Sequence, residues 1–232
     1  MGKRIIARAR GKGGPRYRAP SHRYLGKVEY FDGKGEGVVK DILHDPGRSA
    51  LAMIVKIGGK EILQIAPEGA YVGQVIKYDG EIANGNVVEL GKIPEGTKIF
   101  GIESYPGSGP KYCRAAGSFA IVVGKSGDKV TVQFSSGKQK VLDARCRATI
   151  GVPSNAGKTE KPWVKVGKKY IALHARGKLF PRSAAVVMNP VDHPWGGKRH
   201  RPRPSKFVSR NAPPGAKVGS ISPKQKKKVE VK

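Results

Sequence analysis

Asp192 and His193 are the adjacent residues of this chain that best suit catalytic chemistry. An imidazole that is oriented by a carboxylate can act as a general base or in a nucleophilic relay. Neighbouring side chains of an extended chain point to opposite sides, so Asp192 can orient His193 only across a turn. Pro190 and Pro194 flank the pair and are suited to such a turn.

The rest of the sequence does not complete an active site. It contains no nucleophile elbow, no second carboxylate cluster and no set of metal ligands with the usual spacing. Residues 151–159 approach the pattern of a phosphate-binding loop, but Val152 stands where that loop needs glycine. We therefore predict that the chain is not an enzyme and that it has no cofactor and no metal site.

Trp195 follows this pair and is followed by two glycines. Two interpretations stay open: its ring closes a small hydrophobic patch, or it stacks on a base where glycine lets the backbone approach closely. His193 could likewise donate to a phosphate, a ribose hydroxyl or a base edge. The prolines and glycines of residues 186–204 exclude a helix or a central strand. We expect this segment to lack a core of its own and to be held by a polyanion.

Charge indicates the class of partner. The 232 residues carry a formal net charge of +28, which is far too basic for an ordinary globular protein and points to a nucleic acid. No apolar run approaches the length of a membrane span and no basic amphipathic helix is predicted, so we expect no membrane partner. The N-terminus has no apolar signal core, which predicts a cytoplasmic protein.

The two ends of the chain hold most of this charge. Residues 1–27 have nine Lys or Arg and no acid, and residues 198–232 have twelve against one Glu. Ordering such segments costs about 1 to 2 kcal/mol per residue in backbone entropy, with little apolar area to offset it. We expect both ends to be unstructured alone and extended inside a large folded RNA.

The middle of the chain has short β-branched runs that are separated by turn residues, as in small barrels. Gly58-Gly59 and Ser126-Gly127 predict tight hairpin turns. No apolar spacing of 3.6 residues is sustained, so helices should be one or two short turns at most. The predicted strands are 28–31, 36–43, 51–57, 60–66 and 71–78 in a first series, then 86–90, 97–102, 118–125, 128–134, 138–143 and 146–151.

These runs predict a mainly β fold, with an oligonucleotide-binding (OB) barrel followed by an SH3-like barrel and long irregular extensions at both ends. Cys113 and Cys146 lack metal-ligand spacing, and either two reduced thiols or one disulfide fits them. The predicted boundaries are 1–27 for the N-terminal extension, 28–90 for the OB barrel, 91–175 for the SH3-like barrel and 176–232 for the C-terminal extension.

Four segments carry a resemblance to a known family. MNPVDHPWGG (188–197) and SRNAPPGAKVG (209–219) resemble the universal large-subunit ribosomal protein L-two, in its archaeal form, and so do RAPSHRYLG (18–26) and ILHDPGR (42–48). The resemblance spans essentially the whole chain. It implies the same two barrels, with both extensions buried in large-subunit ribosomal RNA.

The resemblance also implies a function. A member of this family is a structural constituent and primary RNA binder of the large subunit, needed for subunit association and for a functional peptidyl-transferase centre. The implied partners are large-subunit ribosomal RNA, neighbouring ribosomal proteins and the small subunit at an inter-subunit bridge. The family's well-known histidine falls on His193, which would organise RNA at that centre. Trp195 departs from bacterial members, which tend to have a second histidine there.

We expect RNA contacts from both extensions and from loops of the barrels. A free translation factor built on two barrels and an RNA-cleaving enzyme that uses His193 remain the alternatives. The expected RNA-binding residues are Arg4, Arg8, Arg10, Lys12, Arg16, Tyr17, Arg18, His22, Arg23, Arg48, Lys158, Arg176, Lys178, Arg182, His193, Trp195, Lys198, Arg199, His200, Arg201, Arg203, Lys206 and Arg210.

Overall fold

The computed structural model describes residues 3–197 together with Asn211 and Pro213. The chain divides into two compact units. One unit is Ala19–Arg176, which contains every strand of the described residues, and the other combines Met1–Arg18 with Gly177–Lys232. The expectations for residues 198–210 and for most of the 209–219 motif lie outside the described residues.

The described strands form one sheet in the order β3-β2-β1-β4-β5-β10-β6-β7-β8-β9. The fold is mainly β, with an OB barrel followed by an SH3-like barrel, as predicted. The strands are β1 Gly35–Leu43, β2 Ala52–Ile57, β3 Lys60–Ile65, β4 Val75–Tyr78, β5 Val87–Glu89, β6 Lys98–Phe100, β7 Ala120–Ser126, β8 Lys129–Phe134, β9 Gln139–Asp143 and β10 Arg147–Ile150.

The first barrel is organised around β1, the longest strand. It pairs antiparallel with β2 and with β4, and a bulge between Val39 and Asp41 lets it bend from one partner to the other. The predicted hairpin at Gly58-Gly59 joins β2 to β3, with φ values of 50° and 87° that suit a tight glycine turn. Val39, Met53, Val55 and Ile76 are fully buried in this core.

The second barrel contains the predicted meander. β7, β8 and β9 pair antiparallel in sequence order. The β7–β8 hairpin turns at Gly127 and Asp128, one residue after the predicted Ser126-Gly127. Its core includes Leu90, Ile99, Val122 and Val130, which have no exposed surface. Burial of these side chains is the main source of its stability.

β5 connects the two cores. It pairs antiparallel with β10 and meets β4 in parallel at Tyr78 and Val87. Val87 packs into the core of the first barrel, whereas Val88 packs into the core of the second. Because successive side chains of a strand face opposite sides, this one short strand contributes side chains to the cores of both barrels.

Two strand predictions need correction. Residues 28–31 are extended but form no strand, because Glu29 donates one backbone hydrogen bond to Leu63 (3.0 Å) and no ladder follows. The alternating burial of Val28 and Tyr30 explains the strand-like pattern. β4 begins at Val75, since residues 71–74 form a turn.

One helix is also longer than predicted. Helix α1 spans Ile6–Lys12 in the N-terminal extension, and helix α2 spans Val166–His174, which is more than two turns. Neither helix buries a residue. Val166, Tyr170 and Leu173 of α2 have helical spacing, but over only nine residues, which is shorter than the window in which periodicity predicts a helix. Residues 156–159 form only a short 3-10 turn, and β10 before them is antiparallel to both neighbours, unlike the strand of a phosphate-binding loop.

Both cysteines are free thiols, so the disulfide alternative is excluded. Burial raises the pKa of Cys113 to about 11 and also raises the pKa of Cys146. Among the described residues, no helix has the length and apolar character to cross a lipid bilayer.

Candidate nucleic-acid interface

The loop between β1 and β2 holds Arg48 in a fixed position. Asp45 is fully buried, accepts the backbone N–H of Gly47 (2.8 Å) and forms an ion pair with Arg48. The Arg48 guanidinium also donates to the backbone oxygen of Gly26. Gly47 packs against the ring of Tyr24 so closely that a Cβ atom would lie 2.8 Å from it. This contact explains the need for glycine beside the arginine.

Several distant segments converge on this loop. Arg176 donates through Nη2 to the backbone oxygen of Arg48 (3.0 Å), and the Tyr24 hydroxyl donates to the oxygen of Ala175 (2.6 Å). Ser49 accepts the backbone N–H of Ala116 on its hydroxyl (3.0 Å) and the Asn155 amide on its carbonyl (2.9 Å). The loop therefore connects both barrels and the end of α2.

Four cations meet at this junction, and we call Arg48, Arg114, Lys158 and Arg176 the basic cluster. Burial and then the nearby Arg114 charge lower the pKa of Arg48, and burial and then the Arg176 charge lower the pKa of Lys158. Among the described residues, only Arg48 of these four forms an ion pair. Repelling cations with one compensating acid form a site that an anion stabilises.

Beside the basic cluster lies a polar groove of about 180 Å³, lined in part by Lys27, Tyr30, Lys111 and Arg114. Its position close to Arg114 extends the cationic surface along the second barrel. Glu29 and Asp32 also line the groove, and Lys27 forms an ion pair with Glu29 (2.5 Å). Lys111 and Arg114 are the lining cations that form no ion pair within the described residues and so suit contact with phosphate groups.

A buried ion pair forms the wall of this groove. Glu103 has no exposed surface and accepts hydrogen bonds from the Arg147 guanidinium (3.0 Å) and from the backbone N–H groups of Gly107 (3.3 Å) and Gly109 (3.1 Å). Arg147 also donates to the oxygen of Phe31 (2.6 Å). Both charged groups have hydrogen-bond partners within the protein. The pair therefore positions the 104–111 loop, and we do not count it among the groups that would bind a ligand.

Tyr30 completes that wall. Its hydroxyl donates to the backbone oxygen of Gly101 (2.7 Å) and lies 2.7 Å from the hydroxyl of Thr149. Burial raises the pKa of Tyr30, so the phenol stays neutral. The Arg147 guanidinium lies 5.6 Å from the ring centroid, which is within the range of a cation–π contact.

The loop of residues 188–197 has a hydrogen-bonded frame of its own. The N–H of Gly197 donates to Met188 (3.1 Å), and the N–H groups of Asp192 and His193 donate to Asn189 (3.0 and 3.2 Å). A Cβ atom on residue 196 would lie 2.3 Å from the Met188 oxygen, so only glycine fits there. None of residues 188–197 is buried, so this frame consists of backbone hydrogen bonds and not of a core.

Asp192 does not orient His193. Its carboxylate forms an ion pair with Lys3 (3.1 Å), and the backbone N–H of Lys3 donates to the oxygen of Val191 (3.0 Å). His193 instead accepts the backbone N–H of Trp195 on Nδ1 (3.1 Å). When the ring is neutral, its proton is then on Nε2, which is left to donate to a ligand. The Asp–His relay is absent.

Trp195 packs edge-on against His193, with ring centroids 5.3 Å apart and an interplanar angle of 66°. Its side chain remains 38% exposed. Trp195 thus has an aromatic neighbour and also exposed surface, so both the hydrophobic-patch interpretation and the stacking interpretation stay open.

Comparisons with known proteins decide the family. A family model described as "Ribosomal Proteins L2, C-terminal domain" matches residues 83–228. The large ribosomal subunit protein uL2 of Archaeoglobus fulgidus is 50% identical, over 96% of this chain and 97% of its own length. The chain belongs to the uL2 family. The uL2 proteins of Methanopyrus kandleri (46% identical, 96% of each chain) and Methanococcus vannielii (48% identical, 96% of this chain and 98% of its own) are similar over the same extent.

This membership confirms the resemblance to the archaeal form of the family. The prediction that the chain is not an enzyme agrees with membership in a family of ribosomal proteins.

The structure brings together three of the predicted RNA-binding residues, Arg48, Lys158 and Arg176, in the basic cluster. Sequence reasoning missed Arg114, because a single arginine in a glycine-containing loop has no pattern that marks it. The other described residues are distributed as follows: Arg4, Arg8, Arg10, Lys12, Arg16 and Arg18 are exposed and Tyr17 is half-buried in the N-terminal segment, His22 and Arg23 are exposed before the first barrel, and Lys178, Arg182, His193 and Trp195 lie on the segment after α2.

The remaining predicted contacts, Lys198, Arg199, His200, Arg201, Arg203, Lys206 and Arg210, lie outside the described residues.

Proposed function

We propose that this protein is a structural constituent of the cytoplasmic large ribosomal subunit and binds its ribosomal RNA as a primary RNA-binding protein. The observation that carries the proposal is the basic cluster, in which Arg48, Arg114, Lys158 and Arg176 share one compensating carboxylate. A phosphate backbone supplies the missing negative charge. The names of the uL2 relatives support the assignment to the large subunit.

We propose the four-part organisation given by the sequence, with the extensions 1–27 and 176–232 reaching into RNA and the barrels 28–90 and 91–175 lying on it. The basic cluster would hold the barrels on the RNA surface. The predicted contacts of the extensions remain part of this proposal, including those beyond residue 197.

The loop of residues 188–197 is proposed to organise RNA near the peptidyl-transferase centre. His193 would donate through Nε2 to a phosphate, ribose or base acceptor, and Trp195 would stack its accessible face on a base. Peptide-bond formation would then be chemistry of the RNA. Contacts with neighbouring ribosomal proteins and with the small subunit at an inter-subunit bridge complete the proposed partners.

The decisive experiment is sedimentation of the tagged protein with large subunits in high salt. Retention on the large subunit is expected, since a primary RNA binder that is enclosed by folded RNA is not removed by screening of surface charges alone. Recovery mostly in the ribosome-free fractions would favour a free translation factor and would contradict the proposal.

A second experiment tests the loop. His193→Ala should lower the rate of peptidyl transfer or subunit joining of purified large subunits and leave the unfolding transition of the isolated protein unchanged. Val187→Ala, at an exposed residue just before the loop, is the matched control. Normal rates in the His193 variant would remove this role, and cleavage of labelled RNA by the wild-type protein alone would favour the nuclease alternative.

A further inference from the structure

Asp192 is a single acid in a long basic stretch of the sequence. Between Glu160 and Glu230 there are eighteen Lys or Arg, and Asp192 is the only Asp or Glu. A carboxylate repels phosphate unless a nearby cation neutralises its charge. A segment that meets RNA therefore needs a partner for this acid, and the structure supplies the partner from the opposite end of the chain.

Lys3 contacts the loop of residues 188–197 at two adjacent residues. Its Nζ atom donates to Oδ1 of Asp192 (3.1 Å), and its backbone N–H donates to the oxygen of Val191 (3.0 Å). A side-chain pair alone would leave the direction of the N-terminal segment undefined. Two hydrogen bonds to neighbouring residues define both its position and its direction on the loop, and we call them together the Lys3 contact.

The residues that follow Lys3 hold it in place. Ile5 is 8% exposed, and its backbone oxygen accepts the N–H groups of Arg8 (3.1 Å) and Ala9 (3.3 Å) at the start of α1. Lys3 is therefore presented by a segment that has structure of its own. A contact between groups that are already positioned costs less conformational entropy than one that must order a free end.

The Lys3 contact has a direct consequence for His193. The imidazole accepts the backbone N–H of Trp195 on Nδ1, so in the neutral ring the proton on Nε2 can be donated to RNA. A carboxylate released from Lys3 would be free to turn towards this imidazole or towards an approaching phosphate. The first change would compete with RNA for the imidazole proton, and the second would repel the RNA.

We propose that Lys3 is a positioning residue for His193, which fixes the loop through Val191 and neutralises the charge of Asp192 where the loop meets RNA. The inference rests on the proposed function, because it takes His193 to act on ribosomal RNA. Asp192 then serves to hold the N-terminal segment on the loop, and it is the ion pair, not a relay, that makes this acid useful beside the histidine.

Exposure decides where the effect should be measured. The Lys3 side chain is 70% exposed and that of Asp192 is 38% exposed, so water and salt screen the pair in the isolated protein. RNA that covers the loop excludes water, and the same pair is then screened less. The effect of Lys3 is therefore expected in assembled large subunits and not in the unfolding of the isolated chain.

Carbodiimide crosslinking tests the contact itself. This reagent joins an amine directly to a carboxylate with loss of water and adds no spacer, so it selects groups that touch. Purified large subunits that contain the wild-type chain are treated and digested, and the crosslinked peptides are identified by mass spectrometry. We expect a crosslink between Lys3 and Asp192. The exposed ion pair of Lys40 and Glu61 (2.6 Å) is the internal reference.

Substitutions test the consequence. In purified large subunits, Lys3→Ala should lower the rate of peptidyl transfer or subunit joining by roughly threefold to tenfold, as loss of a partly desolvated charge pair does. Lys3→Arg keeps the charge and the backbone hydrogen bond and should stay within about twofold of wild type. Lys60→Ala is the control, because it also removes one exposed lysine and that lysine forms no ion pair within the described residues.

A double variant separates a shared effect from two independent ones. Lys3→Ala with Asp192→Asn should be no slower than Lys3→Ala alone, because the carboxylate that Lys3 neutralises is then gone. All variants should keep the urea unfolding midpoint of the isolated chain, which a loss of fold would change.

Three results would overturn the inference and leave the proposed function standing: no crosslink between Lys3 and Asp192, normal rates in Lys3→Ala when His193→Ala is impaired, or losses in the double variant that multiply. A loss in Lys3→Arg as large as that in Lys3→Ala would overturn it as well. Normal rates in both the Lys3 and the His193 variants, with the crosslink present, would instead remove the role proposed for His193 and leave the Lys3 contact in place.

Discussion

The two barrels use charge in opposite ways although both are small, antiparallel β structures. The stretch 28–90 has a net charge of −4, and Lys34, Lys40, Arg48 and Lys77 are four of its six bases and are all in ion pairs. The stretch 91–175 has fifteen basic and five acidic residues, a net charge of +10. Most cations of the first barrel are thus neutralised by its own acids, with Lys56 and Lys60 in no ion pair, whereas the second barrel has an excess of cations over acids.

This difference agrees with the position of the basic cluster, most of whose cations have no carboxylate partner among the described residues. Where Arg114 and Lys158 have no carboxylate partner among the described residues, the surface is suited to a polyanion. Arg48 belongs to the first barrel by sequence and to the basic cluster by position, and it is held there by a buried acid.

The largest expected effect is on the stability of the second barrel, in which a buried carboxylate pairs with an arginine. Glu103→Ala removes a fully buried carboxylate and leaves the Arg147 guanidinium, whose side chain is 20% exposed, without its main partner. Breaking such a pair costs about 3 to 5 kcal/mol. Urea denaturation of the full chain should show this loss.

The control is Asp143→Ala, which breaks the exposed ion pair with Arg145 (3.0 Å) in the same barrel. An exposed pair contributes far less to stability than a buried one, because water screens it. If both variants lost the same free energy of unfolding, Glu103 would have no special structural role. The contrast between this buried pair and the unpaired cations of the basic cluster would then be lost.

The next effect tests the basic cluster. Arg114→Ala with Lys158→Ala should weaken binding to large-subunit ribosomal RNA by about 1 to 3 kcal/mol and lower the slope of log affinity against log salt by about 1 to 2, since roughly one counterion is released per phosphate contact. Filter binding over a salt series measures both quantities.

Lys40→Ala with Lys77→Ala removes the same number of charges from the first barrel, where both lysines are ion-paired. This matched variant should leave the salt slope unchanged within error. An equal decrease of the slope in both variants would mean that total charge decides RNA affinity and that the comparison between the barrels has no functional meaning.

Local patterns were sufficient for most of the fold. Alternation and glycine turns gave β1 to β3 and β7 to β9 because a hairpin depends on neighbouring residues. The same alternation at Val28 and Tyr30 was misleading, since burial of alternate residues also occurs where an extended segment only covers a core. Helix α2 was missed because its apolar residues Val166, Tyr170 and Leu173 repeat over only nine residues, too few for a sustained periodic signal.

The candidate site was less predictable than the fold. Arg48 and Arg176 are separated by 128 positions and Glu103 and Arg147 by 44, so no local pattern joins them. His193 was identified from its segment, but its hydrogen-bond partner was not. Asp192 pairs with Lys3, 189 positions away, and His193 accepts the backbone N–H of Trp195 instead. The residue types predicted binding to a polyanion. Only the tertiary fold showed which of these residues lie together in one site.

The smallest expected effect concerns Asp79, at the end of β4 in the first barrel. Hydrogen bonds and ion pairs from Lys34 (2.6 Å) and Lys92 hold the pKa of this carboxylate below its ordinary value. A carboxyl group with a lowered pKa in the folded state stabilises the protein above its unfolded pKa, and the contribution is lost as the pH falls through the folded pKa. Asp79→Asn should therefore cost about 1 kcal/mol or less at pH 7.

That difference should shrink as the pH falls below about 4, the ordinary pKa of aspartate, and vanish once the wild-type carboxyl is protonated. Asparagine is the appropriate replacement because residue 79 has a φ of 62°, a left-handed conformation that Asn tolerates. Urea denaturation at a series of pH values measures the effect without the screening that guanidinium adds. A stability difference that stays constant with pH would show that Asp79 acts through its backbone conformation, and that ion pairing in the first barrel only neutralises charge without stabilising the fold.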